Sequence, residues 1–114
     1  MKKYIKSSWG ETSAEHLDPK LTQRVFSTQN AIVVHYVYEP GLEFEHHSHP
    51  QEQITIVQSG QLLFEIEDEK VELKAGDICS IAPNISHSTL VLGDEKVESI
   101  SIFTPGSEQV IIHK

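Results

Sequence analysis

Three of the seven histidines in this 114-residue chain fall within four positions, at His46, His47 and His49. In extended backbone, side chains two residues apart point to the same side, so His47 and His49 share a face and His46 points away. Imidazole nitrogens bind zinc at about 2.0–2.1 Å, and two neighbouring imidazoles supply two such ligands. The His-x-His pair therefore predicts one half of a metal site.

Two further side chains could complete this site. Gln53 is an even number of residues away from His47 and His49, so it adds an amide oxygen on the same face if the strand continues to that position. Glu52 has the opposite parity and is expected to point away. The remaining ligand must come from another strand, and His87 is the best candidate because it follows a turn-rich segment and opens a new strand.

Three imidazoles and one amide are neutral ligands, so a bound divalent ion keeps its full charge. Such an ion attracts an anion or acidifies a bound water. Facing strands leave one or two coordination positions open, which is typical of a catalytic or ligand-binding metal rather than a structural one. The donor set suits one divalent ion of Zn, Ni, Mn, Fe or Cu, and the amide weakly disfavours an iron site with two histidines and one carboxylate.

The elements that must position these residues are short β-prone runs separated by Gly, Pro and Asn turns, which indicates an all-β sandwich or barrel. Residues 1–20 are polar and weakly patterned, and are predicted to be an N-terminal arm or tail before a barrel domain at 21–114. The predicted strands are 23–28, 31–38, 53–58, 61–68, 70–74, 77–82, 87–92, 97–103 and 109–113.

Composition excludes several classes of function. Nine basic against seventeen acidic residues give a net charge of −8, which argues against binding nucleic acid or an anionic membrane. No apolar run approaches the roughly 20 residues of a membrane span, and no signal peptide is recognised, so a cytoplasmic location is expected. Cys79 is the only cysteine, so an internal disulfide and a thiolate zinc site are excluded.

The first group of residues resembles the first motif of the cupin family. That motif is Gly, five residues, His-x-His, three or four residues, Glu, six residues and Gly. Gly41, His47, His49 and Gly60 fit this frame, with Gln53 at the Glu position. The resemblance implies an antiparallel jelly-roll β-barrel with a metal inside it.

The second cupin motif also falls in frame. It is Gly, five residues, Pro-x-Gly, two residues, His, three residues and Asn. Gly76 and His87 match it, whereas Ala82, Asn84 and Val91 stand at the Pro, Gly and Asn positions. Asn in place of Gly is compatible with a positive-φ turn. The resemblance implies His47, His49, Gln53 and His87 as metal ligands.

The run from His47 to Ile54 is similar to small cupins of the pectin-degradation type, in which Gln is the fourth ligand. That group opens unsaturated uronate rings to a keto acid, and its C-terminal motif is Asp-x-Phe-x-Pro-x-Arg. Phe103 and Pro105 match the motif, but Ser101 replaces the Asp and Ser107 replaces the Arg. The metal site carries over, and the acid/base group and the carboxylate anchor do not.

Three functions remain open. The first is a metal-dependent isomerase or lyase acting on a small oxygen-rich anion, a sugar acid or keto acid, with Tyr36, Tyr38 or His35 moving a proton. Arg24, the only arginine, and Phe103 are its predicted substrate-binding residues. The second is a binding or sensor barrel without turnover, which the missing Asp and Arg favour. The third is an iron-dependent dioxygenase.

Self-association is also expected, because a small all-β chain must hide its sheet edges. Resemblance to small cupins implies a homodimer in which the N-terminal strand pairs across the interface. Residues 1–30 are the predicted arm, and Val25 and Phe26 form its apolar part.

Overall fold

The computed structural model describes residues 3–105, which form ten β-strands and one short 3-10 helix, Trp9–Glu11. Within this range, no helix has the length and apolar character needed to cross a membrane. The strands are β1 Glu15–Asp18, β2 Leu21–Ser27, β3 Ile32–Tyr38, β4 Glu43–His47, β5 Glu52–Ser59, β6 Gln61–Ile66, β7 Glu69–Lys74, β8 Ile78–Ile81, β9 His87–Leu92 and β10 Val97–Thr104.

The strands form two antiparallel sheets. One has the order β1-β2-β3-β10-β5-β8 and the other has the order β4-β9-β6-β7. Buried and partly exposed residues alternate strictly along β3, β9 and β10, as expected for strands with one face on a core. The predicted all-β jelly-roll barrel of antiparallel strands is confirmed, and its core lies between the two sheets.

Most predicted strand boundaries lie within two residues of those observed, and 87–92 coincides with β9. The predicted strand 109–113 lies outside the described residues. Two observed strands, β1 and β4, were missing from the prediction. Each places only one apolar residue toward the core, Leu17 and Phe44 respectively, so neither has the hydrophobic alternation that identifies a strand.

The described part of the N-terminal segment begins on the outer side of the six-stranded sheet and then enters that sheet as β1. β1 pairs with β2, and Arg24 Nη1 donates hydrogen bonds to the carbonyl oxygens of Trp9 and Thr12 at 2.9 and 2.7 Å. The Trp9 ring packs 5.5 Å from the His35 ring. Between this segment and β2–β3 lies a cavity of about 580 Å³, lined by Ile5, Lys6, Ser7, Ser8, Trp9, Thr12, Phe26 and Val33.

The turn between β5 and β6 depends on Gly60. Its φ is +82°, and a Cβ added there would lie 2.7 Å from Val97 Cγ2 and 2.8 Å from the Lys96 carbonyl oxygen. Gly60→Ala is therefore expected to lower the free energy of unfolding by about 2–4 kcal/mol, measured by urea denaturation. Gly93→Ala is the matched control, because its φ is +80° with no atom within 4 Å of the added Cβ. Equal losses in the two variants would contradict the role of the close approach.

Candidate metal centre

A β-bulge in β4 brings His47 beside His87. Phe44 pairs with Thr89 and His47 pairs with His87, so three steps along β4 match two steps along β9. The extra residue reverses the alternation of the strand. Phe44 and His47 consequently both face inward although an odd number of residues separates them. His87, the first residue of β9, lies directly across from His47.

His49 and Gln53 reach the same place by a different route from the one predicted. The strand does not run on from His47 to Gln53, because β4 ends at His47 and β5 begins at Glu52 in the other sheet. His49 lies in the link between the sheets, and Gln53 lies on the inner face of β5. The side chains converge because the inner faces of the two sheets oppose each other, and not because they share one strand face.

A turn before β9 holds the link in place. Asn84 has a φ of +66°, which confirms that Asn fills a positive-φ position here. Its backbone N–H donates a 2.8 Å hydrogen bond to the carbonyl oxygen of His49. The loop that carries His49 is thereby attached to the turn that leads into His87.

The three imidazoles form a compact cluster. One ring nitrogen from each of His47, His49 and His87 lies within 4.8 Å of the others, and the ring centroids are 4.4–5.8 Å apart. His49 and His87 are 6% and 1% exposed, whereas His47 is only partly buried. His47 is therefore the member of the cluster nearest to the protein surface.

Backbone carbonyls fix the tautomer of every ring in the cluster. Each Nδ1 lies within hydrogen-bond distance of a carbonyl oxygen, which can only accept, so Nδ1 carries the proton and Nε2 is the unprotonated nitrogen. This is the arrangement by which proteins orient histidines that bind metals. The acceptors for His47, His49 and His87 are the carbonyl oxygens of Glu45, Gln51 and Ile85, at 3.1, 3.0 and 2.9 Å.

Two features of the cluster fit a divalent cation. His87 Nε2 is buried without a hydrogen-bond partner, a costly state for a polar atom. His49 Nε2 lies 3.0 Å from Gln53 Oε1, and with Nδ1 protonated both atoms are acceptors, which repel each other. A cation held among these atoms would satisfy all of them. His47, His49 and His87 therefore form a candidate metal site, and Gln53 offers an amide oxygen beside it.

Burial is the main reason why the pKa of His87 falls to about 4. The hydrogen bond to the Ile85 carbonyl opposes the shift, and the neighbouring rings of His47, His49 and His46 contribute to it. The folded chain thus excludes a proton that the unfolded chain binds below about pH 6.5. The metal-free protein is therefore expected to lose stability as pH falls, by about 3 kcal/mol between pH 7 and 4 from this residue. Urea unfolding of the wild type and of His87→Gln across this pH range tests the expectation, because the loss of stability should be smaller in the variant. The same dependence of the free energy of unfolding on pH in both proteins would contradict it.

The predicted proton carriers lie away from the imidazoles along β3. Tyr36 and Tyr38 are buried and stack on each other with centroids 5.5 Å apart. Tyr36 pairs with Ser99 on β10, whereas Gln53 pairs with Phe103, which lies four residues farther along the same strand. Burial raises the pKa of both phenols, so they stay protonated. Their catalytic role stays a prediction.

The predicted substrate-binding residues have different surroundings. Arg24 lies on the outer face of the sheet, where it holds the N-terminal segment, so its observed contacts are structural. Phe103 is buried and packs edge-on against His49 with centroids 5.5 Å apart. Ser107 lies outside the described residues. His46 points away from the cluster, with Nε2 3.5 Å from Glu65 Oε1.

Sequence reasoning missed Thr55 as a neighbour of the site. Gln53 Nε2 donates to Thr55 Oγ1 at 2.9 Å, and Thr55 Oγ1 lies 2.9 Å from Ser101 Oγ. All three side chains are buried. The sequence did offer one signal: Thr55 lies two residues after Gln53 and so shares its face of the strand. The isoleucines at 54 and 56, however, indicate that the opposite face is the one turned toward the core.

Comparison with known proteins agrees with this architecture. The profile of the cupin domain matches residues 34–103. No match was found among curated protein sequences. An RmlC-like cupin from Shewanella frigidimarina superposes with a TM-score of 0.82 at 21% identity, covering 92% of this chain and 94% of that one.

Two other solved structures are also similar. KdgF from Halomonas sp. has a TM-score of 0.80 at 22% identity, covering 90% of this chain and 95% of that one. AerE from Microcystis aeruginosa has a TM-score of 0.79 at 30% identity, covering 84% of this chain but 46% of that one. These likenesses show the fold, and the cupin domain profile, which covers more than half of the chain, shows that the chain belongs to the cupin family.

Proposed function

We propose that this cupin binds one divalent metal through His47, His49, His87 and Gln53, and that the metal holds a small oxygen-rich anion such as a sugar acid or keto acid. The observation that carries the proposal is the set of three imidazoles whose Nδ1 atoms all face backbone carbonyls. This arrangement leaves Nε2 of each ring unprotonated, and one ring nitrogen from each histidine lies within 4.8 Å of the others.

The electrostatics support an anionic ligand. All four donors are neutral, so they cancel none of the charge of a divalent ion. When bound, such an ion polarises a carbonyl or enol oxygen and lowers the pKa of a coordinated water. His49 and His87 are buried and surrounded by core side chains, so the charge acts in a poorly solvated setting where electrostatic attraction is stronger.

Two classes of function use such a centre, and one observation favours the simpler. The buried polar side chains of the described residues include no Asp, Glu, Lys or Arg. Isomerase or lyase chemistry on a uronate-like substrate needs a group that moves a proton, and the interior offers only hydroxyls, amides and the histidines themselves. Binding without turnover is therefore the second candidate, and it needs none of these groups.

The ligand class is tested by calorimetry on the protein loaded with zinc, nickel or manganese. We expect binding of a uronate and of a keto acid, with the neutral parent sugar as the matched control. Oxalate belongs in the panel because a predicted oxalate decarboxylase from Thermotoga maritima has a similar fold. Loss of the binding in His49→Ala would assign it to the metal centre. Equal binding of the neutral sugar would contradict the proposal.

Turnover is tested separately. Conversion of an unsaturated uronate to a keto acid, followed by NMR, would establish the enzyme, and Tyr36→Phe and Tyr38→Phe would then test the predicted proton carriers. Ligand binding without any product would favour the binding barrel. Oxygen uptake that requires iron, and that zinc or nickel does not replace, would favour the dioxygenase instead.

We also propose a homodimer formed through the outer face of the six-stranded sheet. Across β10, β5 and β8, Ile100 pairs with Ile56, which pairs with Ile78, and Ile102 pairs with Ile54. These five residues, the isoleucine patch, point away from the core, and Ile78 is 67% exposed. The other four are partly buried, so the patch presents a contiguous and partly exposed apolar surface, a feature that marks protein–protein contacts.

Sedimentation of the full chain tests the dimer. Ile100→Glu and Ile56→Glu are expected to convert it to a monomer, whereas Glu98→Gln, on the same face of β10, should leave it dimeric. A wild-type monomer at micromolar concentration would contradict the proposal. Whether the N-terminal segment pairs across the interface stays a prediction.

A further inference from the structure

The amide of Gln53 must be oriented for its oxygen to face the candidate metal site. An amide has an acceptor end and a donor end of nearly the same shape, and a rotation by half a turn exchanges them. The observed orientation places Oε1 3.0 Å from His49 Nε2 and Nε2 2.9 Å from Thr55 Oγ1. Without a metal, the reversed orientation is favourable, because the amide N–H would then donate to the imidazole.

Thr55 alone cannot choose between the two orientations. Its hydroxyl can accept a hydrogen bond from the amide N–H, or it can turn and donate to the amide oxygen. The choice depends on whether the hydroxyl proton is already engaged elsewhere. Ser101 Oγ, 2.9 Å from Thr55 Oγ1, can accept this proton when its own hydroxyl proton is directed elsewhere.

We propose that Ser101 is a positioning residue for the metal centre: it accepts the Thr55 hydroxyl proton, so that Thr55 can only accept from Gln53 and the amide oxygen stays turned toward the metal. The inference rests on the proposed metal site. The burial of these three side chains supports the inference. Gln53, Thr55 and Ser101 are 4%, 0% and 0% exposed, so bulk solvent has little access to the hydrogen bonds between them.

The same argument gives Ser101 a role other than proton transfer. A serine hydroxyl is a weak acid that stays protonated, but it is a good hydrogen-bond acceptor for a neighbouring hydroxyl. Residues that orient a metal ligand in this way alter metal affinity by about 10–100-fold when they are removed. We therefore expect Ser101 to act on the affinity and geometry of the metal rather than on a chemical step.

The test compares cobalt(II) binding in matched variants of the full chain, using the dissociation constant and the visible absorption spectrum as readouts. Ser101→Ala is expected to weaken binding by about 10–100-fold and to alter the spectrum, because the amide oxygen leaves the ligand set. Ser99→Ala is the matched control, because Ser99 is an equally buried serine and is the inward-facing residue that precedes Ser101 on β10. It should bind cobalt as wild type does.

Thr55 supplies a second pair of variants. Thr55→Val removes the hydroxyl at nearly constant shape and is expected to weaken binding as Ser101→Ala does. Thr55→Ser keeps the hydroxyl and should retain most of the affinity. Equal weakening in both Thr55 variants would indicate loss of packing rather than loss of orientation, and it would overturn the inference.

A change at Gln53 separates orientation from general damage. In a Gln53→Glu background the two carboxylate oxygens are equivalent and both accept, so the side chain has no wrong orientation. Adding Ser101→Ala to Gln53→Glu is therefore expected to change affinity by less than about threefold. A full 10–100-fold loss in that background would refute the positioning role.

The outcomes also distinguish this inference from the proposed function. If the wild-type chain binds no cobalt, zinc or nickel, the metal site itself fails. If wild type binds metal and Ser101→Ala matches it in affinity and spectrum, the metal site stands and only the role of Ser101 fails.

Discussion

Replacing His87 with alanine is expected to abolish metal binding, from about one equivalent per chain to less than about a tenth. His87 lies across from His47 in the β4–β9 pair, and its Nε2 is buried without a hydrogen-bond partner. Removing it leaves two imidazoles and one amide, too few for a tight site. The measurement is elemental mass spectrometry after loading with metal and desalting.

His46→Ala is the matched control for this experiment. His46 is adjacent to His47 in sequence, but its side chain is exposed and contacts Glu65 and Ser86 instead of the cluster. It should keep the full equivalent of metal. Retention of metal by His87→Ala would contradict the assignment, and so would its loss by His46→Ala. Circular dichroism should show that both variants remain folded.

Metal binding is also expected to raise the thermal stability of the barrel substantially. A ligand that binds only the folded state at 1,000 times its Kd adds about 4 kcal/mol. For a domain of this length that corresponds to a rise in Tm of about 10–20 °C. The rise should appear in calorimetry on adding metal to the chelator-treated protein, and it should reverse when the chelator is returned.

The effect should depend on the imidazoles. In His49→Ala the same metal concentration is expected to shift Tm by less than about 2 °C, because binding to the folded state is lost. A rise of equal size in His49→Ala would show that the metal stabilises the chain at some other place. Measurement at pH 7 keeps the histidines of the unfolded chain mostly neutral as well.

The sequence predicted the fold and the candidate ligands, but it did not predict how the fold brings those ligands together. The periodic strands, above all β9, followed from hydrophobic alternation and turn residues, and two motifs in frame identified the barrel. His47 and His49 were paired by parity. Gln53 was chosen on the assumption of a continuous strand, and the chain instead passes from one sheet to the other between His47 and Glu52.

Two features were beyond a reading based on alternation. The β4 bulge is an extra residue in β4 relative to its partner β9. It can be recognised only once the pairing of the two strands is known, and hydrophobic alternation within one strand does not give that pairing. Along β5 and β10 the polarity is inverted, since Thr55 and Ser101 face inward while isoleucines such as Ile56 and Ile100 face outward. Alternation locates such strands but assigns their faces the wrong way round, because here the inner face carries polar residues beside the candidate site and the outer face carries isoleucines.

The position of β10 has a consequence for the order in which the molecule is made. This strand, the last of those described, lies in the middle of the six-stranded sheet between β3 and β5. Until residues 97–104 leave the ribosome, β1-β2-β3 and β5-β8 are separate fragments with open edges, which are prone to pair with other chains. All four candidate ligands are synthesised earlier. If the chain binds metal as proposed, its histidines are available to the ion before the barrel encloses them. Synthesis rate and metal supply are then both expected to affect the yield of folded protein.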